Sequence, residues 1–347
     1  MKTTWRLAAA FACPALLSAA IVGTNPPSLP LNAERIAQLA AAEQPAWREY
    51  LARSIALRAA DQKFLADEIK SAGIKEQVPF KQPPPGTPGV SAGHRAEWFA
   101  SAEAHEAADN IMSFQTPAGG WSKNFNPAVY RRQPGQAFAP ETNISRYLTP
   151  GDNDTPHDEH WAYIGTFDNN ATIGELRFLA KVAAAADEKT GAPWRAASLR
   201  GVEYVLTAQY PNGGWPQTFP LDGGYHDSIT FNDGAITNII EFVRDVAAGK
   251  NEFAWVPAAL RRRAAAAEAR GISCILACQL VGDGRRTVWC QQHDVLTLAP
   301  TSARNYEMPS QSGSESAGLA VFLMELPNPS PEVVRAVHAA AAWFGKT

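Results

Sequence analysis

The sequence predicts an all-α fold: an (α/α)3 toroid-like barrel with short additional strands and an N-terminal helical extension. Three observations carry that prediction. A glycine-tryptophan turn occurs twice, as "QTPAGGWSK" at residues 115–123 and "QYPNGGWPQ" at residues 209–217. Apolar residues recur at helical spacing in segment after segment, and strand patterns are sparse.

The elements follow in chain order. Residues 33–75 are rich in Ala, Glu and Leu and read as two short helices. "KQPPPGTPG", residues 81–89, is a proline-rich connector. Beyond it, Ile173, Leu176, Leu179, Ala180 and Ala183 mark one apolar stripe, and Leu199, Val202, Val205 and Leu206 a second. Ile236, Ile239, Ile240 and Val243 mark a third, and Ile272, Ile275, Leu276 and Leu280 a fourth. Ser330 is an N-cap and Pro331 a first helical residue for a last helix. "RTVWC" is a candidate for a small local strand.

The turn repeats, and a third, decayed copy exists. "CQLVGDGRRTVW" places Gln279 before two glycines and Trp289. Gln115, Gln209 and Gln279 then end three successive helices. A single helical hairpin cannot bury its apolar face alone, whereas a ring of hairpins can. Similar turns occur in other α/α toroids, including terpene cyclases. No Asp-x-Asp-Asp or Asp-Asp-x-x-Asp run supports cyclase chemistry here.

Composition bounds the function. The chain has 347 residues, 46% of them apolar, which is ample for one large core. A net charge of −3 gives no pull toward nucleic acid or an anionic membrane. "MKTTWRLAAAFACPALLSAAIVG" has the charged, apolar, small-residue order of a signal peptide, with cleavage near Ala19 to Gly23. The protein is thus expected to be soluble, secreted or periplasmic, and free of the membrane once the signal is removed. Cys274, Cys278 and Cys290 remain, with two readings open: one disulfide through Cys290, or three buried thiols.

Polar residues crowd the segments between helices. One stretch carries Asp154, Asp158, Glu159 and Asp168; a second, His226, Asp227, Asn232 and Asp233; a third, Gln292, His293, Asp294, Arg304, Tyr306, Glu307, Ser312 and Glu315. Trp121, Trp161, Tyr163, Trp215, Tyr225, Trp289 and Tyr306 are interleaved with them. Aromatic faces beside carboxylates, amides and guanidinium suit a sugar-binding groove; core packing is the alternative role for each ring. "TFDNNATIGEL" and "TFNDGAITNII" each set an acid, Asp168 or Asp233, just before a new helix. Either acid alone is an ordinary N-cap. Brought together on one rim, they offer hard oxygen donors for Ca²⁺ or Mg²⁺.

"QTPAGGWSKN", "TFDNNAT", "QYPNGGWPQTFPL", "GGYHDSITFND", "VWCQQHD" and "ARNYEMPSQSGSESAG" occur in that order. Together they resemble the signature segments of family-10 pectate lyases over roughly residues 95–345. The expected division is a signal peptide (1–23), a helical extension with connector (24–92) that lies outside the resemblance, and a catalytic domain (93–347) that the resemblance implies. It implies a secreted, monomeric enzyme that cleaves polygalacturonate by Ca²⁺-dependent β-elimination. The proton at C5 lies next to the uronate carboxylate, so a metal on that carboxylate acidifies the C–H.

By the same resemblance Asp168 is the leading calcium ligand, with Asp109 as a second acid. An arginine serves as base in such enzymes, which leaves Arg304 as base or as a bidentate uronate clamp. His226 is the other candidate base. Trp121, Lys123, Asn124, Trp215, Tyr225, Asp233, His293, Tyr306 and Glu307 are implied as substrate neighbours. One departure stands out: no arginine lies between Trp215 and Arg244, and Asp222 and His226 occupy that loop. A pectate-binding homologue with impaired catalysis, or an α/α-toroid glycoside hydrolase, are the competing readings.

Overall fold

The computed structural model describes residues 25–80, 90–140, 161, 163–304 and 306–346. The signal-peptide stretch, the proline-rich connector and Asp154, Asp158 and Glu159 lie outside the described residues.

The extension forms α1 (Ala33–Ala37) and α2 (Gln44–Ser71). Two short helices were expected, but the second runs for 28 residues. Pro45 sits where a helix tolerates it, in the first turn, and no breaker follows. Then come α3 (Ala102–Ser113), α4 (Ile173–Ala185), α5 (Glu188–Ala208), α6 (Ala235–Ala248), α7 (Ala258–Ala277), α8 (Gly313–Met324) and α9 (Pro331–Phe344). All the predicted stripes fall on helices, except that Leu280 lies past the end of α7. Ser330 caps α9 by accepting from the Val333 amide at 3.3 Å.

The helices pair as antiparallel hairpins: α4 with α5, α6 with α7, α8 with α9. Helices α3, α5, α7 and α9 follow one another around the outside. Three hairpins thus make an α/α toroid. Strands are short and local. β1 (Val78–Phe80) pairs parallel with β2 (Gln136–Pro140). β3 (Ile229–Thr230), β6 (Gln292–His293) and β7 (Pro300–Thr301) make one small sheet. β4 (Val281–Gly282) and β5 (Arg285–Arg286) form a separate two-stranded hairpin. "RTVWC" therefore contributes only its first residue, Arg286, to a strand.

The repeated turn is a latch. Gln115 Nε2 donates to Gly119 O at 2.9 Å and to Ala197 O, in α5, at 3.0 Å. Gln209 Nε2 donates to Gly213 O and to Ala267 O, in α7, both at 2.9 Å. Gln279 Nε2 donates to Thr287 O at 3.0 Å and to Ala336 O, in α9, at 2.9 Å. The third copy is therefore real. Each glutamine closes its own turn and ties it to the next outer helix. An arginine covers each amide oxygen: Arg200 on Gln115, Arg270 on Gln209, and Arg286 more loosely, at 3.5 Å, on Gln279.

The tryptophans cap the preceding helix. Trp121, Trp215 and Trp289 donate from Nε1 to the carbonyls of Ile111, Val205 and Ile275, at 2.8, 2.9 and 2.7 Å. The carbonyls of Val205 and Ile275 would otherwise be orphans of a helix end, whereas Ile111 O also accepts from the Phe114 amide at 3.1 Å. The turn also needs its glycines. Gly119 and Gly213 have φ of 119° and 93°, and a Cβ there would lie 2.8 and 2.3 Å from the carbonyl oxygens of Arg200 and Arg270.

The extension packs into the same core. Leu31, Ile36, Trp47 and Tyr50 are buried with residues from the hairpins. Tyr50 Oη donates to Ala208 O at 2.9 Å, and Asp61 accepts from the Ala118 amide at 2.8 Å. Burial raises the Asp61 carboxyl to about 6. Cys274, Cys278 and Cys290 are free and buried, which decides between the two readings left open.

Candidate functional site

In an antiparallel hairpin the inner helix starts at the end where the outer helix stops. The N-termini of α4, α6 and α8 therefore share one rim with the latch turns. Two of them are preceded by tight turns, Asp168–Asn170 and Asn232–Gly234. Asn169 and Asp233 occupy matching left-handed positions, with φ of 53° and 51°. Neither Asp168 nor Asp233 caps its helix: α4 and α6 have no side-chain cap bond. Their carboxylates are not committed to capping these helices.

The rim brings Asp168, Asp233 and Lys123 together. Lys123 Nζ forms an ion pair with Asp168 Oδ2 and stands 3.9 Å from the centre of the Tyr163 ring. Asp168 Oδ1 is buried and accepts no hydrogen bond among the described residues. Asp233 lies against Asp168; burial first, then the Asp168 charge, raise its carboxyl pKa. Two clefts flank this pair. One, of about 500 Å³, is lined by Lys123, Asn124, Asn169, Asn170 and Glu175. The other, of about 210 Å³, is lined by Asp233, Thr237, Ser314 and Glu315. Glu175 is buried without a compensating charge, and its carboxyl is pushed up to about 7.

Arg304 and Glu307 form the second half of the site. Arg304 Nε and Nη2 donate to Glu307 at 3.0 and 2.7 Å, a bidentate pair. These hydrogen bonds raise the guanidinium above its already high pKa, while Glu307, despite burial, is held below the usual carboxylate range. Tyr306 is exposed, with its ring 5.0 Å from the guanidinium carbon.

The loop 220–227 closes the other side. Tyr225 Oη and Tyr163 Oη meet at 3.2 Å. His226 packs against both rings, 4.2 Å from Tyr225 and 5.0 Å from Tyr163 between centroids. Its Nδ1 is 3.8 Å from Asp222 Oδ2. The cation absent from this loop in sequence arrives in space from α2: Arg58 Nη2 donates to Asp222 Oδ1 at 2.7 Å. The extension grips the loop at two further points. Ser54 Oγ accepts from the Leu221 amide at 2.8 Å, and Asp227 accepts from the Leu31 amide at 2.9 Å. Burial raises Asp227 to about 6.

Several sequence candidates stand elsewhere. Trp121 and Trp215 are fully buried as helix caps and present no face to a groove. His293 is also fully buried; Nδ1 meets Leu298 O at 2.8 Å, Nε2 accepts from the Cys290 amide at 3.3 Å, and burial lowers its pKa to about 4. Asp109 lies on outer helix α3, where it accepts from Trp194 Nε1 at 2.9 Å and sits 3.7 Å from Arg131. Arg58 was missed. It lies 164 residues from Asp222, and no sequence signal links them.

Comparison with known proteins fits this geometry. The sequence profile of the pectic acid lyase family, described as "Pectic acid lyase", matches residues 115–347. The chain belongs to the pectic acid lyase family. With the family goes its enzyme class: this is a polysaccharide lyase of the pectate lyase type. The Family 10 polysaccharide lyase from Cellvibrio cellulosa is 32% identical; the match covers 72% of this chain and 69% of that one, with a TM-score of 0.57. A mutant of the same lyase, in complex with trigalaturonic acid, is 31% identical over 72% of this chain and 70% of that one, also with a TM-score of 0.57. No curated protein matches the chain. No described helix is long and apolar enough to cross a membrane.

Proposed function

We propose that the protein is a secreted pectate lyase that cleaves (1→4)-α-D-galacturonan by Ca²⁺-dependent β-elimination, leaving a 4,5-unsaturated sugar end. The observation that carries this reading is the meeting of Asp168 and Asp233 beside Lys123 on the rim. Two adjoining carboxylates repel unless a cation or a proton lies between them. Asp168 Oδ1, buried and without a hydrogen bond among the described residues, is an oxygen donor to spare. The donor set fits a hard cation. No group of three or more His, Cys, Asp or Glu is placed to hold a metal among the described residues. Ca²⁺ takes six to eight oxygens, so most of its ligands would be substrate carboxylate and water. Asp168 and Asp233 would hold it, and when bound it would acidify the C5 proton through the uronate carboxylate.

The chain's own residues do the rest. Lys123 offers an ammonium to a neighbouring uronate. Arg304 is the uronate clamp: Glu307 fixes its Nε and Nη2 edge and leaves Nη1 for substrate. The same pairing opposes a role as base, because the bound carboxylate stabilises the protonated guanidinium. His226, packed against Tyr163 and Tyr225, is the remaining candidate base. Tyr306, which is exposed, offers its ring face to the sugar.

A second reading, a pectate-binding homologue with impaired catalysis, is favoured by Asp222 occupying the loop that lacks arginine. A retaining or inverting hydrolase is disfavoured, because its two acids stand about 5–9.5 Å apart around the bond, whereas Asp233 is near enough to Asp168 for the Asp168 charge to raise its carboxyl. Incubation with polygalacturonate under an ultraviolet beam separates the readings. Elimination creates a conjugated double bond that absorbs; hydrolysis and binding do not. The expected result is rising absorbance that stops with chelator and resumes with Ca²⁺. Reducing ends without absorbance would refute elimination, and full activity in excess chelator would refute the metal.

A further inference from the structure

The third latch differs from the other two. Gln115 to Trp121 and Gln209 to Trp215 are six residues apart, whereas Gln279 to Trp289 are ten. The extra residues make the β4–β5 hairpin, which carries Arg285 and Arg286 outward, both exposed. With the C-terminal end of α9 the hairpin borders an open cleft of about 740 Å³, within the range of small-molecule sites. Lys346 and Trp343 line its other side, and Asp283 is the one acid among its lining residues.

The cleft is built rather than incidental. Trp343 Nε1 donates to Gln311 Oε1 at 3.0 Å, and Gln311 Nε2 donates to Thr287 Oγ1 at 3.1 Å, so the indole is fixed against the turn. Arg285 and Lys346 make no side-chain hydrogen bond or ion pair among the described residues, which leaves both heads for a ligand. A net-acidic chain has gathered three cations around an indole. That pairing matches a carboxylated sugar: guanidinium and ammonium for the uronate, the ring face for the apolar C–H surface. Its position fits as well. Gln311 lies just before α8, whose first turn brings Glu315 to the cleft beside Asp233.

We propose that the cleft of Arg285, Arg286, Trp343 and Lys346 is a second, non-catalytic binding site for acidic galacturonan. It holds a distant stretch of the polymer whose other part lies in the rim groove. The assignment of galacturonan rests on the proposed function; the existence of the site does not.

The test compares the full chain with Arg285→Ser and Arg285→Ser/Lys346→Ser. Both positions are exposed and unbonded, so the fold is kept. Retardation in gels containing polygalacturonate with chelator reads binding, and absorbance on trigalacturonate reads the groove. The double variant should bind the polymer about five-fold more weakly, from two lost exposed charge contacts, with an unchanged rate on the trimer. Equal retardation of variant and wild type overturns the proposal. So does an equal loss on polyglutamate, which would show a response to charge alone. Arg285-dependent retardation in a protein that gives no unsaturated product would remove the lyase reading and leave the site standing.

Discussion

Replacing Arg58 by Met should loosen the loop that carries Tyr225 and His226. The Asp222 side chain is fully buried and that of Arg58 is 22% exposed. Removing one partner of a fully buried pair costs about 3–5 kcal/mol. Water reaches Arg58, so about 2–3 kcal/mol is the expected loss here. With an unfolding entropy of about 2 cal/mol/K per residue, that lowers Tm by roughly 3–4 °C. Activity should fall further than stability, since a misplacement near 1 Å costs about 100-fold. Calorimetry and the ultraviolet assay at a temperature well below Tm read the two effects separately. Asp222→Asn added to Arg58→Met removes the stranded charge and should return at least half of the lost Tm. An unchanged Tm in the single variant, or a double variant no better than the single, would refute the reasoning.

Gln209→Leu should cost about 2–4 kcal/mol, because it leaves the Gly213 carbonyl and Arg270 without their partner and removes the tie to Ala267 O in α7; chemical denaturation checks it, and loss within error would remove the latch. Glu175 is raised in the folded state, so it stays neutral while its unfolded counterpart ionises. Stability is therefore lost as pH rises from about 4.5 to about 7. Glu175→Gln should leave Tm unchanged at pH 4 and raise it at pH 8, by up to about 3 kcal/mol of stability. Arg304→Lys should raise KM more than it lowers kcat, as a lysine cannot reproduce a planar clamp; a pure kcat defect would restore Arg304 as base. Asp168→Ala should lose Ca²⁺ affinity and activity together while keeping its circular dichroism.

The first two hairpins were legible because their apolar stripes are made of Ile, Leu, Val and Ala at helical spacing; in the third, only α9 was, through its Ser330 cap and Pro331. The latches were legible because glutamine, glycine and tryptophan each have a geometric reason to stay. Helix α2 was misjudged in length for a physical reason. Its buried stripe, Trp47, Tyr50, Ser54, Asp61 and Leu65, contains a hydroxyl and a carboxylate. Those two groups serve backbone amides at Leu221 and Ala118, which an apolar count does not register. The rim logic put Asp168 and Asp233 together; the ion pair of Lys123 with Asp168 was not legible in it. Asp233 was matched to Asp168 in sequence, although its backbone position matches Asn169. Trp121 and Trp215 read as sugar platforms because a tryptophan beside polar loops looks the same in sequence whether its ring faces a groove or caps a helix. Asp109 looked like a site acid because sequence does not show which face of α3 meets Trp194.

All three latches address main-chain oxygens. A carbonyl is present whatever side chain its residue bears, so the coupling between neighbouring outer helices tolerates drift in their sequences. It also tolerates changes in the length of the turn itself, as the four additional residues before Trp289 demonstrate. The turns are thus places where surface chemistry can be inserted or exchanged without renegotiating the scaffold. In such a molecule the division of labour is between a frame written in backbone and a rim left open to revision.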